Sequence, residues 1–191
     1  MSSKEKILHV AAEQFYLKGY QCSSVDDIIA DAGVSKSNFY YHFKSKEDLG
    51  LTVLNYRSGE FRCALDRTLC NQENNPEQRL LSFLKMMQSS QEESLNQVGC
   101  PFGNLVAEMA EHSEKIRCSL SRMFGSLKNL VSDVISEGQE AGVFRDDVGA
   151  DNMAALIITS LQGMLLMTKC HKSLDTLGQG VTTLVRLIKS E

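Results

Sequence analysis

The stretch of residues 24–46, SVDDIIADAGVSKSNFYYHFKSK, decides the fold. Ser24 is a good helix N-cap, and Asp27, three residues later, completes a capping box. Apolar residues then follow at helical spacing: Val25, Ile28, Ile29 and Ala32. Gly33 stands where the end of a helix needs a residue that tolerates positive φ, and Ser35 can cap a second helix. The pattern predicts two short helices joined by a tight turn.

The second of these helices has one apolar face. Phe39 and Phe43 are four residues apart, so both side chains point to the same buried side. The rest of that helix is left to polar and partly polar residues: Lys36, Ser37, Asn38, Tyr40, Tyr41 and His42. A helix, a turn with glycine and a second helix form the pattern of a helix-turn-helix DNA reader over residues 24–43.

The charges in this stretch favour the same interpretation. Residues 33–46 contain Lys36, Lys44 and Lys46 but no Asp or Glu. Lys36 falls in the first turn of its helix, where the macrodipole disfavours a cation unless a phosphate lies nearby. On periodicity alone, a solvated amphipathic helix with a few lysines explains the pattern better.

A resemblance to a known family favours the DNA-binding interpretation over a solvated amphipathic helix. The chain reads AGVSKS at Ala32–Ser37, FYYHF at Phe39–Phe43 and KSKEDL at Lys44–Leu49, and FYLKGY stands upstream at Phe15–Tyr20. These motifs resemble the DNA-binding segment of the TetR family of bacterial transcriptional repressors. Ser37 departs from the glycine common in that family, which bears on base preference rather than on the fold. The resemblance covers roughly the first quarter of the chain, and beyond it only the helical pattern and the length agree.

The resemblance and the residue chemistry together predict a DNA-contacting set. Ser, Thr, Asn, Tyr and Lys side chains commonly hold a DNA backbone in register. We expect Tyr40 and Lys46 to contact phosphates, and Ser35, Lys36 and Ser37 to lie at the end that enters the groove. The full expected set is Ser24, Ser35, Lys36, Ser37, Asn38, Tyr40, Tyr41, His42 and Lys46.

Composition limits the class of protein. The 191 residues include 20 Lys and Arg against 24 Asp and Glu, for a net charge of −4, so a DNA site must be a local patch. Apolar content of 42% with two prolines fits a compact, mostly helical protein. The six cysteines form no CxxC pair, and the N-terminus shows no signal peptide, so we expect free thiols and a cytoplasmic protein.

The hydrophobic pattern predicts an all-α fold of about nine helices. The resemblance implies that an N-terminal three-helix unit is followed by a larger helical effector and dimerisation domain. We place the DNA-binding domain at residues 1–47 and the ligand-binding and dimerisation domain at residues 48–191. The expected helices after the helix-turn-helix run from Ser45 to about Cys70, from Pro76 to about Leu95, from Pro101, from Ser113 to the two glycines Gly138 and Gly142, from about Ala150 to Cys170 and from about Leu174 to Lys189.

The eighth predicted helix is apolar nearly all round, which indicates partners on more than one side. The ordinary explanation is a core helix; the alternative, which we favour, is a homodimer through helices eight and nine. A charge at Ile157 or Leu161 is then expected to unfold the domain or to give monomers. The apolar run Met153–Met167 contains Thr, Ser, Gln and Gly and is too short and polar to span a bilayer, so no membrane partner is expected.

The second domain is expected to hold a small-molecule effector. Its methionines are more often core filler, although they would suit an adaptable apolar pocket. The expected ligand set is Phe83, Met87, Cys100, Phe102, Met123, Leu161 and Met164. Cys100, in GCPFGN, falls at the cap of a helix that begins at Pro101. Two interpretations of this thiol stay open: a sensor of electrophiles or oxidants, and a small structural residue.

The predicted function is a ligand-responsive regulator that leaves a palindromic double-stranded DNA operator when an effector binds. One alternative is a helical small-molecule carrier that does not bind DNA. Another is an enzyme that uses Cys100, Glu108 or His112, but no nucleophile–base pattern supports it. Glu108 and His112 lie four residues apart, yet a surface pair is the better interpretation than a metal site. We expect no cofactor and no metal.

Overall fold

The computed structural model describes residues 1–93 and 98–190, and within them it contains nine helices. The helices are α1 (Ser3–Leu17), α2 (Val25–Ala32), α3 (Lys36–His42), α4 (Lys46–Asp66), α5 (Pro76–Glu92), α6 (Pro101–Met109), α7 (Glu114–Glu140), α8 (Ala150–His171) and α9 (Asp175–Ile188). The only β-pairing in these residues is an isolated antiparallel bridge between Phe144 and Lys189. The predicted all-α fold is confirmed.

Local capping chemistry fixes several of these boundaries as predicted. The Ser24 side chain accepts from the Asp27 backbone N–H, and the Asp27 side chain accepts from that of Ser24. Asn75 and Gln78 form the same reciprocal pair at the start of α5, with Pro76 in the first turn. Such boxes satisfy backbone donors that a helix start leaves without partners.

Two predicted helix ends differ from the structure. The fourth helix ends at Asp66, because residues 67–70 form a turn in which the Cys70 N–H donates to the Leu65 carbonyl at 3.0 Å. The seventh passes through Gly138 to Glu140, where Gly142 takes a φ of +68° and ends it. The end predicted near Leu95 lies outside the described residues.

The chain divides into two compact units. Unit 1 comprises Met1–Glu60 and Pro101–Ser121, and unit 2 comprises Phe61–Cys100 and Arg122–Glu191. In unit 1, α1 packs against α2 and α3. Its core is made of buried side chains from α1 to α4: Ile7, Ala11, Ala12, Ile28, Ala32, Phe39, Phe43, Leu49 and Val53.

Unit 2 is built around α8, which packs against α9. The helices approach closely at Gly180, where an added Cβ would lie 2.7 Å from the Met164 sulfur. The buried face of α8 consists of Met153, Ala154, Ile157, Ile158, Leu161, Leu165 and Thr168. Arg79 is buried in this unit, where its guanidinium donates to the Leu69 carbonyl at 2.6 Å and to the Glu137 carboxylate at 2.5 Å.

Helix α8 is longer than the apolar run recognised in the sequence. Among the described residues it is the one helix whose length and composition would allow it to cross a membrane. The core helix of a soluble protein meets the same criterion, and α8 buries seven residues inside unit 2. Its apolar character is therefore weak evidence for a membrane span.

Candidate nucleic-acid interface

The turn between α2 and α3 is set by one glycine and one serine. Gly33 has a φ of +64°, in the left-handed region that glycine adopts without a Cβ penalty. The Val34 N–H then donates back to the Ile29 carbonyl at 3.2 Å, which closes α2. The Ser35 side chain accepts from the Asn38 N–H at 3.2 Å and starts α3. These bonds fix the direction in which α3 leaves the turn.

Helix α3 is held on unit 1 by its two phenylalanines. Phe39 and Phe43 are 0% and 2% exposed, and their ring centroids are 5.8 Å apart. Both pack in the cluster that α1 and α2 also build. Burying an aromatic side chain of this size stabilises the folded state by about 1.5–3 kcal/mol. The buried phenylalanines therefore fix the position of the exposed side chains on the opposite face of α3.

The other side of α3 faces solvent. Tyr41 is 83% exposed and Tyr40 is 50% exposed, so both side chains are accessible from solvent. Ser35, Lys36 and Ser37 are exposed at the first turn, and the hydroxyls of the two serines lie 3.0 Å apart. The structure thus brings together five of the expected DNA-contacting residues on one surface.

Three of the four remaining expected contacts are half-buried or already used in a helix cap. Asn38 and His42 are half-buried, and the Asn38 Oδ1 atom is buried without a hydrogen-bond partner in the part of the chain that the structure describes. His42 stacks edge-on against Tyr41, with ring centroids 4.9 Å apart. Ser24 is exposed, but its hydroxyl is already used in the cap of α2.

Lys36 forms an ion pair that the sequence did not indicate. Its Nζ atom lies 3.1 Å from the Asp26 carboxylate in the first turn of α2. The hydrogen bond to Asp26 raises the pKa of Lys36. Both side chains are well exposed, so water screens this pair strongly. A phosphate would have to compete with Asp26 for the ammonium.

Lys46, at the start of α4, is held against the loop between α1 and α2. Its Nζ donates to the Gln21 carbonyl at 3.3 Å and lies 4.4 Å from the centroid of the Tyr20 ring. Partial burial lowers the pKa of Lys46, and the nearby Glu108 carboxylate opposes that shift. Burial, helped by the charge of Glu47, raises the pKa of Tyr20 to about 12. The Lys46 ammonium is therefore anchored on the loop between α1 and α2.

The residues expected to bind an effector lie in both units. Phe83 and Met87 on α5, Met123 on α7, and Leu161 and Met164 on α8 belong to unit 2, as does Cys100 before α6. Four of these six side chains are buried: Phe83, Met87, Cys100 and Leu161. Phe102 on α6 belongs to unit 1. Cys100 is 6% exposed, and both interpretations of its thiol stay open.

Phe102 lines a small cavity inside unit 1. Its walls come from α1, Tyr20, α4 and α6: Ala12, Phe15, Tyr16, Tyr20, Val53, Leu54, Arg57, Pro101, Phe102, Leu105 and Glu108. The cavity volume of about 30 Å³ exceeds the ~10–15 Å³ that one water molecule needs. It is suited to water or a very small group rather than to a drug-sized ligand.

Sequence reasoning missed a set of residues that surround the interface: Tyr20, Gln21, Asp26 and Glu108. The sequence spacing pairs Glu108 with His112, and the described residues contain no group of three or more possible metal ligands. In the structure the Glu108 carboxylate accepts from the Gln21 backbone N–H at 2.8 Å. No spacing rule could reveal that contact, because the two residues are 87 positions apart.

Comparisons with known proteins agree with this architecture. Residues 7–52 match the family model described as bacterial regulatory proteins, tetR family, and residues 76–184 match the tetracyclin repressor-like C-terminal domain. The chain is 32% identical to the HTH-type transcriptional repressor DhaR of Mycobacterium sp. (strain GP1), over 94% of this chain and 88% of that protein. It is 42% identical over 62 residues to the HTH-type transcriptional regulator QacR of Staphylococcus aureus, which is 32% of this chain and 33% of that one. The crystal structure of a regulatory protein TetR from Rhodobacter sphaeroides superposes with a TM-score of 0.89 at 25% identity, covering 96% and 97% of the two chains.

A capped helix-turn-helix with an exposed polar and aromatic face, joined to a helical body, defines the class of DNA-binding transcription regulators. Both family models lie within one chain that is helical throughout its regular structure. The chain belongs to the TetR family. Its members are transcription regulators rather than enzymes, and they bind DNA operators and act as dimers with effector ligands. The chain is therefore a DNA-binding regulator, and the alternative of a small-molecule carrier that does not bind DNA is wrong.

Proposed function

We propose that the protein is a repressor whose homodimer binds a palindromic operator and leaves it when a small-molecule effector binds. The observation that carries the proposal is the exposed face of α3, which has no acidic residue and is held on a packed three-helix unit. The relative DhaR is a named repressor, which favours repression over activation.

The residues of α3 divide into two roles in this proposal. Ser35, Lys36 and Ser37 enter the major groove with the N-terminal end of the helix, as reading helices generally do. Tyr40 and Lys46 contact phosphates at the edge of the groove. The other proposed contacts are Ser24, Asn38, Tyr41 and His42.

We assign the two functions to the two domains expected from the sequence. We assign residues 1–47 to DNA binding and residues 48–191 to effector binding and dimerisation. The compact units are divided differently, because Pro101–Ser121 belongs to unit 1 together with the DNA-binding residues. The proposed functional domains therefore differ from the compact units. The effector pocket would use Phe83, Met87, Cys100, Phe102, Met123, Leu161 and Met164.

Release from DNA follows from linkage. An effector that prefers a conformation with wrongly spaced reading heads weakens DNA affinity by the factor with which DNA weakens effector affinity. A 100-fold change requires a coupling free energy of about 2.7 kcal/mol. No catalytic step is assigned to any residue, and the place of action is the cytoplasm.

The dimer is assigned to α8 and α9 because both helices leave apolar side chains uncovered in the monomer. Leu166 and Leu187 are each 59% exposed, and Leu156 is 54% exposed. Large exposed leucines on neighbouring helices are typical of a surface that another protein covers. A two-fold dimer would place two copies of α3 on successive turns of one DNA face, about 34–36 Å apart.

The test is fluorescence anisotropy with tiled fragments of the DNA upstream of the protein's own gene. One fragment with an inverted repeat should bind at least 10³-fold more tightly than the same fragment with one half-site scrambled. Lys46→Ala should weaken binding to all sequences alike and reduce the salt slope by about one. Equal affinity for the intact and scrambled fragments would contradict the proposal.

A further inference from the structure

The Glu108 carboxylate, on α6, closes over the loop between α1 and α2. It accepts a hydrogen bond from the Gln21 backbone N–H at 2.8 Å. Gly19 in the same loop has a φ of +92°, and an added Cβ there would lie 2.9 Å from Glu108 Oε1. The carboxylate therefore occupies the space that the absent side chain of Gly19 leaves. Both contacts lie within unit 1.

Gln21 in the same loop also binds Lys46, through its backbone carbonyl. The Gln21 N–H is bound by Glu108, and the Gln21 carbonyl accepts from Lys46 Nζ at 3.3 Å. The Tyr20 ring, 5% exposed, supports the ammonium from one face at 4.4 Å. A lysine has three N–H donors, and the Gln21 carbonyl uses one of them. The bond thus fixes the ammonium while donors remain for phosphate oxygens.

Two further contacts secure this arrangement. The Gln21 side-chain amide donates to the Met109 sulfur at 3.4 Å, one residue after Glu108. The Ser113 hydroxyl, which caps the first turn of α7, forms a short hydrogen bond with the Glu47 carboxylate beside Lys46. The segment of residues 108–113 therefore meets both the loop and the first turn of α4.

We propose that Glu108 is a positioning residue for DNA binding: it fixes the Gln21 backbone, which orients the Lys46 ammonium toward a DNA phosphate. The inference rests on the proposed role of Lys46 at the phosphate. A lysine side chain loses much rotamer freedom when it is fixed on a partner. Fixing it before DNA arrives removes part of that cost from the binding step.

The experiment compares two neutral replacements of Glu108 in the full-length protein. Glu108→Gln removes the charge but keeps a carbonyl that can accept from the Gln21 N–H. Glu108→Leu removes the same charge and cannot accept. Operator affinity is measured by fluorescence anisotropy at several salt concentrations, with Lys46 present and in a Lys46→Ala background.

With Lys46 present, we expect Glu108→Leu to bind the operator about 2- to 10-fold more weakly than Glu108→Gln, which is the range that ordering one flexible side chain costs. In the Lys46→Ala background the two replacements should bind equally, because no ammonium remains to be oriented. Circular dichroism melting checks that both variants are folded, and Glu108→Ala replaces the leucine variant if that one is not.

Equal affinity of the two replacements with Lys46 present would overturn the inference. The same difference in both backgrounds would overturn it as well, since Glu108 would then stabilise unit 1 without acting through Lys46. Failure of the proposed function would give a different result. The wild-type protein would then bind the operator and its scrambled form with equal affinity.

Discussion

At the scale of single residues, the Asp26 carboxylate would compete with a DNA phosphate for the Lys36 ammonium. Lys36 lies in the first turn of α3, where the helix dipole disfavours a positive charge. Asp26, in the first turn of α2, lies 3.1 Å away and compensates that charge. In the proposed complex, Lys36 would exchange a carboxylate partner for a phosphate partner.

Replacement of Asp26 tests this exchange. Asp26→Asn should increase operator affinity by about 1.5- to 5-fold, because DNA no longer has to displace a weak, solvent-screened carboxylate from Lys36. In a Lys36→Ala background the gain should disappear. Fluorescence anisotropy at physiological salt measures both effects.

Part of any gain comes from removing a negative charge near DNA. Glu13→Gln removes the same charge from an exposed side chain of α1 and serves as the control. An equal gain from Asp26→Asn with and without Lys36 would show that the ion pair has no part in recognition.

At the scale of elements, the angle between α2 and α3 depends on the backbone of Gly33. Its φ is +64°, and no atom lies within 4 Å of the position that a Cβ would take. A side chain there meets conformational strain and no steric clash with neighbours. Gly59, inside α4, has equally open surroundings without a left-handed φ.

These two glycines should respond to alanine with opposite signs. Gly33→Ala should lower the free energy of unfolding by about 1–2 kcal/mol, which is the cost of a left-handed L-residue. Gly59→Ala should raise it by about 0.5–1 kcal/mol, because alanine restricts the unfolded chain and favours the helix. Thermal unfolding followed by circular dichroism measures both. A change of the same sign in the two variants would contradict the assignment of the turn.

At the scale of the whole molecule, the structure changes which residues can test assembly. Ile157 and Leu161 are 0% and 1% exposed inside unit 2. A charge at either position would destabilise the unit itself, so it reports on folding rather than on dimerisation. Leu156, Leu166 and Leu187 are large apolar residues of α8 and α9 whose side chains are more than half exposed.

Leu166→Glu should therefore give folded monomers at micromolar concentration, because each interface would bury an unpaired carboxylate beside its symmetry mate. Analytical ultracentrifugation measures the mass, and operator affinity should fall along with dimerisation. Leu17→Glu makes the same change at a leucine of α1 that is 45% exposed, and it should remain dimeric. A dimeric Leu166→Glu protein would place the interface elsewhere.

Features that depend on neighbours along the chain could be predicted from the sequence. The caps at Ser24 and Ser35, the left-handed Gly33 and the buried pair Phe39 and Phe43 were all predicted and are present. Each depends on residues within about four positions, where backbone geometry makes spacing and contact equivalent. The all-α fold followed from the same local periodicity.

The partners of the charged side chains around α3 and Lys46 could be found only from the three-dimensional structure. Lys46 is 25 positions from Gln21, and Gln21 is 87 positions from Glu108, yet the three residues form one connected set. Sequence spacing carries no information about such contacts, because they depend on how α6 packs against the loop before α2. For the same reason Ile157 and Leu156 look alike in an apolar run, although packing buries one and leaves the other exposed.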